Sequence, residues 1–387
     1  MGILPKNAEA VVIGSGAMGG ACAYYLSKFG VKDILVIEQN SYLGGHSTSR
    51  CAGGVRHQFG RAVNIELSKK NKALLDIFFE EHNCKVEFED IGYMFVVEEE
   101  KDISYFKESM ILQNQNGINS VWLEEREVYS KLPFLNKIDF KGGVFYQGDG
   151  LLDAGSVVGH YIRAAVDNGV KFCLNTKLKG IFVKDGEIKG VKTDKGEISS
   201  KIVINAAGPW APKICGMIGE RVPVSVVKQQ LLVTERVENL NTNFPVVVFT
   251  GSGLGLHPEG GGILTGLHRN VNEKREVPGV NIEWEQEHCR LLLKYFPTLA
   301  ETKIQSHWFG YYDCTPDEKP IVGEITGIKG FYCIFGFNGH GFMHSAICGC
   351  ALAEQIYYGE SKTISIDDFN IRRFKTTEQK GKELYKV

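Results

Sequence analysis

The segment Val11-Val12-Ile13-Gly14-Ser15-Gly16-Ala17-Met18-Gly19-Gly20, followed by Ile34-Leu35-Val36-Ile37-Glu38, constrains this chain more than any other stretch. It reads as a strand, a glycine turn, a helix and a second strand ending in an acid, which is the pattern of a dinucleotide grip. Gly14 permits the tight turn, Gly16 lets backbone approach a pyrophosphate, and Gly19 lets the helix lie close on the strand. Ser15, Ala17 and Met18 complete a helix N-terminus whose N–H groups and partial positive charge suit phosphate. Glu38, with Gln39 beside it, can accept hydrogen bonds from both hydroxyls of an adenosine ribose, whereas a 2′-phosphate there meets like charge. The pattern therefore points to FAD or NAD and away from NADP.

At 387 residues the chain is long enough for two cores. A net charge of −2 with only isolated basic pairs, such as Lys69-Lys70 and Arg372-Arg373, argues against a nucleic-acid partner. No apolar run approaches the roughly 18 residues that cross a bilayer, and neither a signal peptide nor a membrane anchor is visible. The ten cysteines are scattered with no CxxC pair or His/Cys cluster. They read as reduced and buried, with no metal site, which fits a cytoplasmic location. Cys348 and Cys350, two apart on one helix, point in different directions.

After the opening unit comes a loop of small and polar residues over 44–54, then a helix starting near Asn64. The stretch 86–145 mixes short strands with charged helical segments and breaks the parallel alternation. A helix runs from Leu152-Asp153-Ala154-Gly155 to Asn168, followed by strands over 171–174 and 180–183, an Asp185-Gly186 turn, and a strand over 188–193. The apolar strand Ile202-Val203-Ile204-Asn205 runs into Ala206-Ala207-Gly208-Pro209-Trp210, another place where backbone approaches a neighbour closely. Residues 222–308 are strand-rich. A last strand over 330–335 feeds the glycine loop 336–342 and a helix that continues to about Tyr358.

Together these landmarks resemble the D-amino-acid oxidase superfamily of FAD enzymes, within it the group of sarcosine oxidase β-subunits and dye-linked proline dehydrogenase β-subunits. The resemblance rests on five ordered motifs: the glycine turn with Glu38; the loop 47–60; Asn205-Ala206-Ala207-Gly208-Pro209-Trp210; Gly310-Tyr311-Tyr312 with Thr315-Pro316-Asp317 and Pro320; and Phe337-Asn338-Gly339-His340-Gly341-Phe342-Met343. It implies an α/β fold: a Rossmann-like FAD-binding domain with an inserted α+β substrate domain built on an antiparallel sheet. The expected division gives 1–85, 146–221 and 309–387 to the FAD domain, and 86–145 and 222–308 to the substrate domain.

The same resemblance implies that Gly45, His46, Ser47, Thr48, Arg50 and Cys51 pass the flavin's ribityl chain and diphosphate. It places Leu178 at the adenine, and Ala207, Gly208, Trp210, Gly336, Asn338, Gly339, Gly341 and Phe342 around the rest of the cofactor. Some relatives attach flavin through a histidine in the first loop; Arg50 stands there in this chain, so non-covalent FAD is expected. Free N–H groups from Gly339 to Phe342, with a helix behind them, would stabilise negative charge on reduced flavin.

Enzymes of this group oxidise a C–N bond α to a carboxylate by passing a hydride to flavin N5. Arg56 is the candidate partner of the carboxylate, since a guanidinium fork matches it in two bonds; a surface or FAD-phosphate arginine is the alternative. His340 is the candidate at the amine end, against a histidine that merely fills its loop. His268 matches a pocket position and is equally readable as structural. Three departures matter. Tyrosines follow Gly310 where glycine and D-amino-acid oxidases carry an arginine. Gln229 stands near a histidine position of proline dehydrogenases, which argues against L-proline itself. The strand 262–266 lacks the lysine that speeds reaction with oxygen.

The resulting expectation is an FAD-dependent dehydrogenase of a small secondary or N-methylated amino acid such as proline, hydroxyproline, sarcosine or an opine. A dye- or quinone-type acceptor or a partner subunit would take the electrons, and a hetero-oligomer is admitted. The competing readings are an oxidase that makes hydrogen peroxide and an electron-transfer subunit of a complex.

Overall fold

The computed structural model describes residues 4–238, 240–268 and 279–376. Two large sheets organise it. The first has six strands in the order Ile321–Glu324, Phe331–Phe335, Ile202–Asn205, Ala10–Ile13, Ile34–Ile37 and Lys171–Cys173. All its pairs are parallel except the first, which is antiparallel.

The strand Ala10–Ile13 is apolar throughout because both its faces are covered. Ala10 and Val12 face the core formed with the helices Ala17–Phe29, Ala154–Asp167 and Ser345–Tyr358. Val11 and Ile13 face a second core with Ile188, Val191 and Ile198 of a three-stranded antiparallel sheet. Gly349 sits where a Cβ would lie 2.7 Å from that of Ala21, so the helices Ala17–Phe29 and Ser345–Tyr358 pack backbone to backbone. The helix expected near Asn64 begins at Ala62 and runs to Glu81.

The second sheet has eight strands: Ile304–Cys314, Ser225–Thr234, Gly262–Leu267, Leu254–Glu259, Val246–Phe249, Tyr93–Val97, Gly142–Tyr146 and Val121–Leu123. It is antiparallel apart from the parallel pair Tyr93–Val97 with Val246–Phe249, where the two sequence segments of the sheet meet. The helix Ile282–Tyr295 packs on one face through Trp284 and Leu292. The boundary expected between 308 and 309 falls inside the strand Ile304–Cys314, which pairs with Ser225–Thr234 along ten residues. Gly310-Tyr311-Tyr312, allotted by sequence to the FAD domain, therefore lies on the second sheet, because nothing in its residue types marks a strand end there.

Candidate active site at the junction of the two sheets

At the glycine turn, close contact leaves no room for side chains. Gly14 has φ +100°, and a Cβ on Gly19 would lie 2.0 Å from the Gly14 carbonyl oxygen. Gly16 caps the following helix without a side-chain bond, and a Cβ there would lie 3.0 Å from Thr48 Oγ1, which accepts the Ala17 N–H at 3.0 Å. Met18 is buried and reaches toward Gly341. Glu38 Oε2 accepts from the Ser15 N–H at 3.1 Å and hydroxyl at 2.8 Å; Oε1 accepts from the N–H and side-chain amide of Asn40 at 2.9 and 2.8 Å. Asn40, which sequence reasoning passed over, thus orients the acid, while Gln39 is exposed. A cradle lined by backbone and closed by a pre-oriented carboxylate fits a dinucleotide.

The loop after the second strand is stitched to the eight-stranded sheet. The Ser47 hydroxyl donates to the Tyr311 carbonyl at 2.7 Å, Arg50 Nη1 donates to the Phe309 carbonyl at 3.0 Å, and Trp308 Nε1 donates to the Arg50 carbonyl at 3.0 Å. His46 has φ +57°, and its ring lies 4.5 Å from that of Trp210. Gly45 packs under Tyr42, and burial pushes the Cys51 thiol up to about 11. Leu178 is buried, and Ala207 and Gly208 (φ +48°) lead into the turn bearing Trp210.

The loop 336–342 hangs on Asp313. Its carboxylate accepts the N–H groups of Gly336 at 2.6 Å and Phe337 at 3.3 Å, and burial pushes it up to about 6. Asn338 (φ +55°) donates its N–H to the Asp313 carbonyl and accepts from the Thr315 N–H at 2.9 Å. A Cβ on Gly339 would meet the Tyr312 ring at 2.7 Å. The expectation of free N–H groups from Gly339 to Phe342 needs correction: His340 gives its N–H to Phe337. The helix itself starts at Ser345, after a 3-10 turn over Phe342–His344.

Arg56 is fully buried, so its surface alternative fails. Its Nη1 donates to the Gln58 carbonyl at 2.5 Å, and the guanidinium lies 4.1 Å from the Phe59 ring and 5.4 Å from that of Phe95. Its charge acts on Tyr93, Tyr312, His340 and His344. Burial first, then Arg56, hold His340 well below the usual histidine range, and burial and Arg56 hold His344 down to about 3. The His340 ring meets Phe59 edge-on at 5.4 Å and lies 6.3 Å from His344, whose Nε2 is 2.9 Å from the Ser68 hydroxyl. Asp149, wholly buried, anchors the preceding turn: it accepts the His57 N–H at 2.7 Å, contacts His57 Nδ1 at 2.8 Å, and accepts Gln58 Nε2 at 3.1 Å.

Beside this cluster lies a cavity of about 530 Å³, its solvent-open part included, lined by Tyr93, Tyr312, Gln229, His268 and a set of aliphatic side chains, with Ala52 and Gly54 at one side. Of the three expected catalytic residues only His268 lines it, its ring 6.2 Å from that of Tyr312. Arg56 and His340 are not among its lining residues, and of the two Arg56 exerts its charge on the lining tyrosines Tyr93 and Tyr312. His344 and Asp149 were not singled out from the sequence. The spacing of His344 four residues after His340 was an available signal; Asp149, in a glycine-flanked turn, carried none.

Strand alternation puts Lys228 on the opposite sheet face from Gln229, with its ammonium 4.9 Å from the Phe309 ring. Among the described residues no His/Cys/Asp/Glu group suits a metal, all ten cysteines are free, and no helix is long and apolar enough to cross a membrane.

Residues 9–355 match the family described as FAD dependent oxidoreductase. The chain is 29% identical to mitochondrial sarcosine dehydrogenase of Mus musculus over 96% of its own length but 42% of that protein's, so it spans about two fifths of that relative. It is 27% identical to sarcosine oxidase subunit beta of Rhodobacter capsulatus, covering 96% of this chain and 89% of the relative. The solved L-proline dehydrogenase from P. horikoshii superposes with a TM-score of 0.88 at 30% identity, covering 96% of this chain and 99% of that one. With the glycine cradle, the acid that closes it and a match over most of its length, the chain belongs to the FAD dependent oxidoreductase family.

Proposed function

We propose that the chain dehydrogenates the C–N bond of a small secondary or N-methylated amino acid, with FAD held non-covalently. The observation that carries this reading is a buried cation, Arg56, packed on Phe95, whose ring stacks on that of the cavity-lining Tyr93, and on Phe59, whose ring meets a histidine, His340, kept neutral by burial. Held by the glycine cradle and Glu38, FAD would supply the two-electron acceptor for this chemistry. Tyr93 and Tyr312 offer hydroxyl donors to the substrate carboxylate: burial pushes both phenols above their ordinary range and keeps them protonated, while the charge of Arg56 offsets part of that rise. Arg56 is thus a positioning residue, which modifies the direct guanidinium–carboxylate contact expected from sequence. Neutral His340 adds no second positive charge beside Arg56, and His268 closes the cavity wall. The similar proteins named for sarcosine and L-proline, both secondary amino acids, support the substrate class.

No lysine is among the described residues lining the cavity, and Lys228 lies on the far sheet face. A cation beside N5 aids superoxide formation electrostatically. Its absence there favours a dehydrogenase that passes electrons to a dye- or quinone-type acceptor or to a partner subunit. The similar sarcosine oxidase subunit beta is, by name, part of a larger assembly, which supports a hetero-oligomer.

The test is anaerobic mixing of the purified flavoprotein with secondary amino acids, followed by admission of air. Substrate should bleach the flavin and air should restore it slowly; prompt peroxide formation at full turnover rate would identify an oxidase. Leu264→Lys, which brings an ammonium to the cavity wall, should speed reoxidation. Tyr312→Phe should raise the half-saturating substrate concentration more than it lowers the limiting bleaching rate. Acid precipitation should release all the flavin, because Arg50 cannot form the covalent link a histidine makes.

A further inference from the structure

His257 stands on the cavity wall with a buried ring nitrogen, Nε2, that no hydrogen bond satisfies. Register explains its place. In the strand Leu254–Glu259 it lies opposite Leu264, and the pairing of Leu256 with Val247 carries it next to Val246, which in turn lies opposite Tyr93. His257 and Tyr93 therefore share one face of the sheet and one row across it, two strand spacings or roughly 10 Å apart at their Cα atoms. Its neighbours in that row, Leu264 and Val246, have no polar side-chain atom to offer the imidazole.

The chemistry of that atom follows from the other nitrogen of the ring. Nδ1 lies 2.8 Å from the Pro258 carbonyl, which only accepts, so Nδ1 carries the proton. Burial holds the ring below the usual histidine range against the pull of the Pro258 and Ala52 carbonyls and of Glu89, so it is neutral at neutral pH. Nε2 is then a bare lone pair, an acceptor with no proton to give. The Ala52 carbonyl, which acts on this ring and lines the same cavity, is an acceptor too. Gln230, also among the lining residues, commits its amide to Asn281, donating to the carbonyl at 3.1 Å and accepting the N–H. Among the described lining residues no aspartate or glutamate stands ready to balance a charged donor. This part of the wall therefore calls for a donor that is uncharged.

We infer that His257 is a specificity-determining residue whose Nε2 accepts a hydrogen bond from an uncharged donor, a hydroxyl or an amide N–H, on the part of the substrate remote from its carboxylate. This rests on the amino-acid dehydrogenase reading above and deepens it by one contact. A substrate with the donor satisfies a buried atom that the protein leaves unpaired. An analogue with hydrogen or fluorine there leaves the lone pair stranded, and a ketone or ether sets a second acceptor against it. The donor should be worth about 10–100-fold in kcat/KM, and the ketone or ether should rank below hydrogen.

The experiment measures anaerobic flavin bleaching by the FAD-loaded protein within sets of compounds that differ at one group, each as both enantiomers. One set is proline with its 4-hydroxy, 4-fluoro and 4-oxo derivatives; the other is N-methylalanine with N-methylserine and its O-methyl ether. In a set that reacts, the hydroxyl member should lead by about tenfold or more. His257→Phe, which keeps a ring and removes the acceptor, should erase that lead, and His257→Gln, whose amide oxygen stands in for Nε2, should restore part of it. A second readout does not depend on turnover: nitrogen NMR of ring-labelled histidines, with His257 assigned by its loss in His257→Gln. It should show the Nδ1–H tautomer at neutral pH, and Nε2 should shift more with unreactive 3-hydroxycyclopentanecarboxylate than with cyclopentanecarboxylate. If His257→Phe fails to retain flavin, the wild-type ranking and this resonance decide. Equal use of the hydrogen and hydroxyl members, a lead that survives in His257→Phe, or a proton on Nε2 overturns this inference and leaves the dehydrogenase reading intact. Failure of every amino acid to bleach the flavin overturns both.

Discussion

The two ends of the site are built by different means. At the glycine turn the contacts are backbone to backbone: Gly19 against the Gly14 carbonyl, and Gly14 against the Ala206 carbonyl, whose oxygen a Cβ would approach to 2.8 Å. At the Arg56 end the contacts are between side chains from distant segments: the Phe59 and Phe95 rings flank one guanidinium, and the His340 ring meets Phe59 edge-on. A site made of backbone tolerates almost no substitution at its glycines and leaves a local sequence trace. A site made of converging side chains tolerates more change at each position and leaves a diffuse trace.

The largest effect that follows is at Gly19. Gly19→Val forces a Cβ into the Gly14 carbonyl, and it should cost roughly 4 kcal/mol or more of stability and abolish flavin retention. Flavin content and melting temperature measure this; a yellow protein of unchanged stability would break the claim that backbone contact defines this end.

Next comes Arg56→Ala. Loss of a buried charge that reaches the substrate only through Tyr93 and Tyr312 should raise the half-saturating substrate concentration by about tenfold while flavin content stays near one per chain. Arg56→Lys should recover part of the loss, since a point charge lacks the planar fork that packs on Phe59. Titration of anaerobic bleaching against substrate checks both. Equal loss of flavin and substrate binding would mean that the two ends are not separable.

A third effect comes from the buried histidines. His344 is held down to about 3 and His288 to about 4 by burial, and His340 well below its usual range. In the unfolded chain each takes a proton as pH falls through about 6.5, while the native state refuses it, so native stability drops from there toward the folded values. Each contributes up to about 1.4 kcal/mol per pH unit within that window. Asp313, raised to about 6, has the opposite sign: between that value and its ordinary range the native state holds a proton that the unfolded chain sheds, offsetting one histidine. The melting temperature should therefore be lower at pH 5 than at pH 7.5. A flat or inverted profile would mean that these rings are solvated in solution.

The smallest effect sharpens the comparison at the nucleotide end. Asn40→Ala removes one of the four hydrogen bonds that orient Glu38 and keeps the backbone N–H bond, so FAD affinity should fall by about 0.5–1.5 kcal/mol. Flavin dissociation constants read this directly, and a loss as large as that of Gly19→Val would mean that the side chains around Glu38 matter as much as the turn.

The nucleotide end was legible from residue types alone. Gly14, Gly16, Gly19 and Glu38 act through local conformation and short-range sterics, and the buried strands announce themselves as apolar runs of fixed length. The last helix was also visible, but its start was not: expected at the glycine loop, it begins at Ser345 because His340 closes a local bond to Phe337. Arg56, His340 and His268 were named from resemblance, whereas their burial, and the partition that puts His268 on the cavity wall and the other two off it, depends on which faces the strands turn inward. The same register carried Lys228 to the far face and Gln229 to the cavity. A shift of one residue would have exchanged them, and no local signal distinguishes the two pairings. Asp149 and Asn40, which hold the two ends in shape, are single polar residues in turns. Their partners are chosen by the tertiary fold, because a hydrogen bond to a buried carboxylate exists only once the chain has excluded water from it.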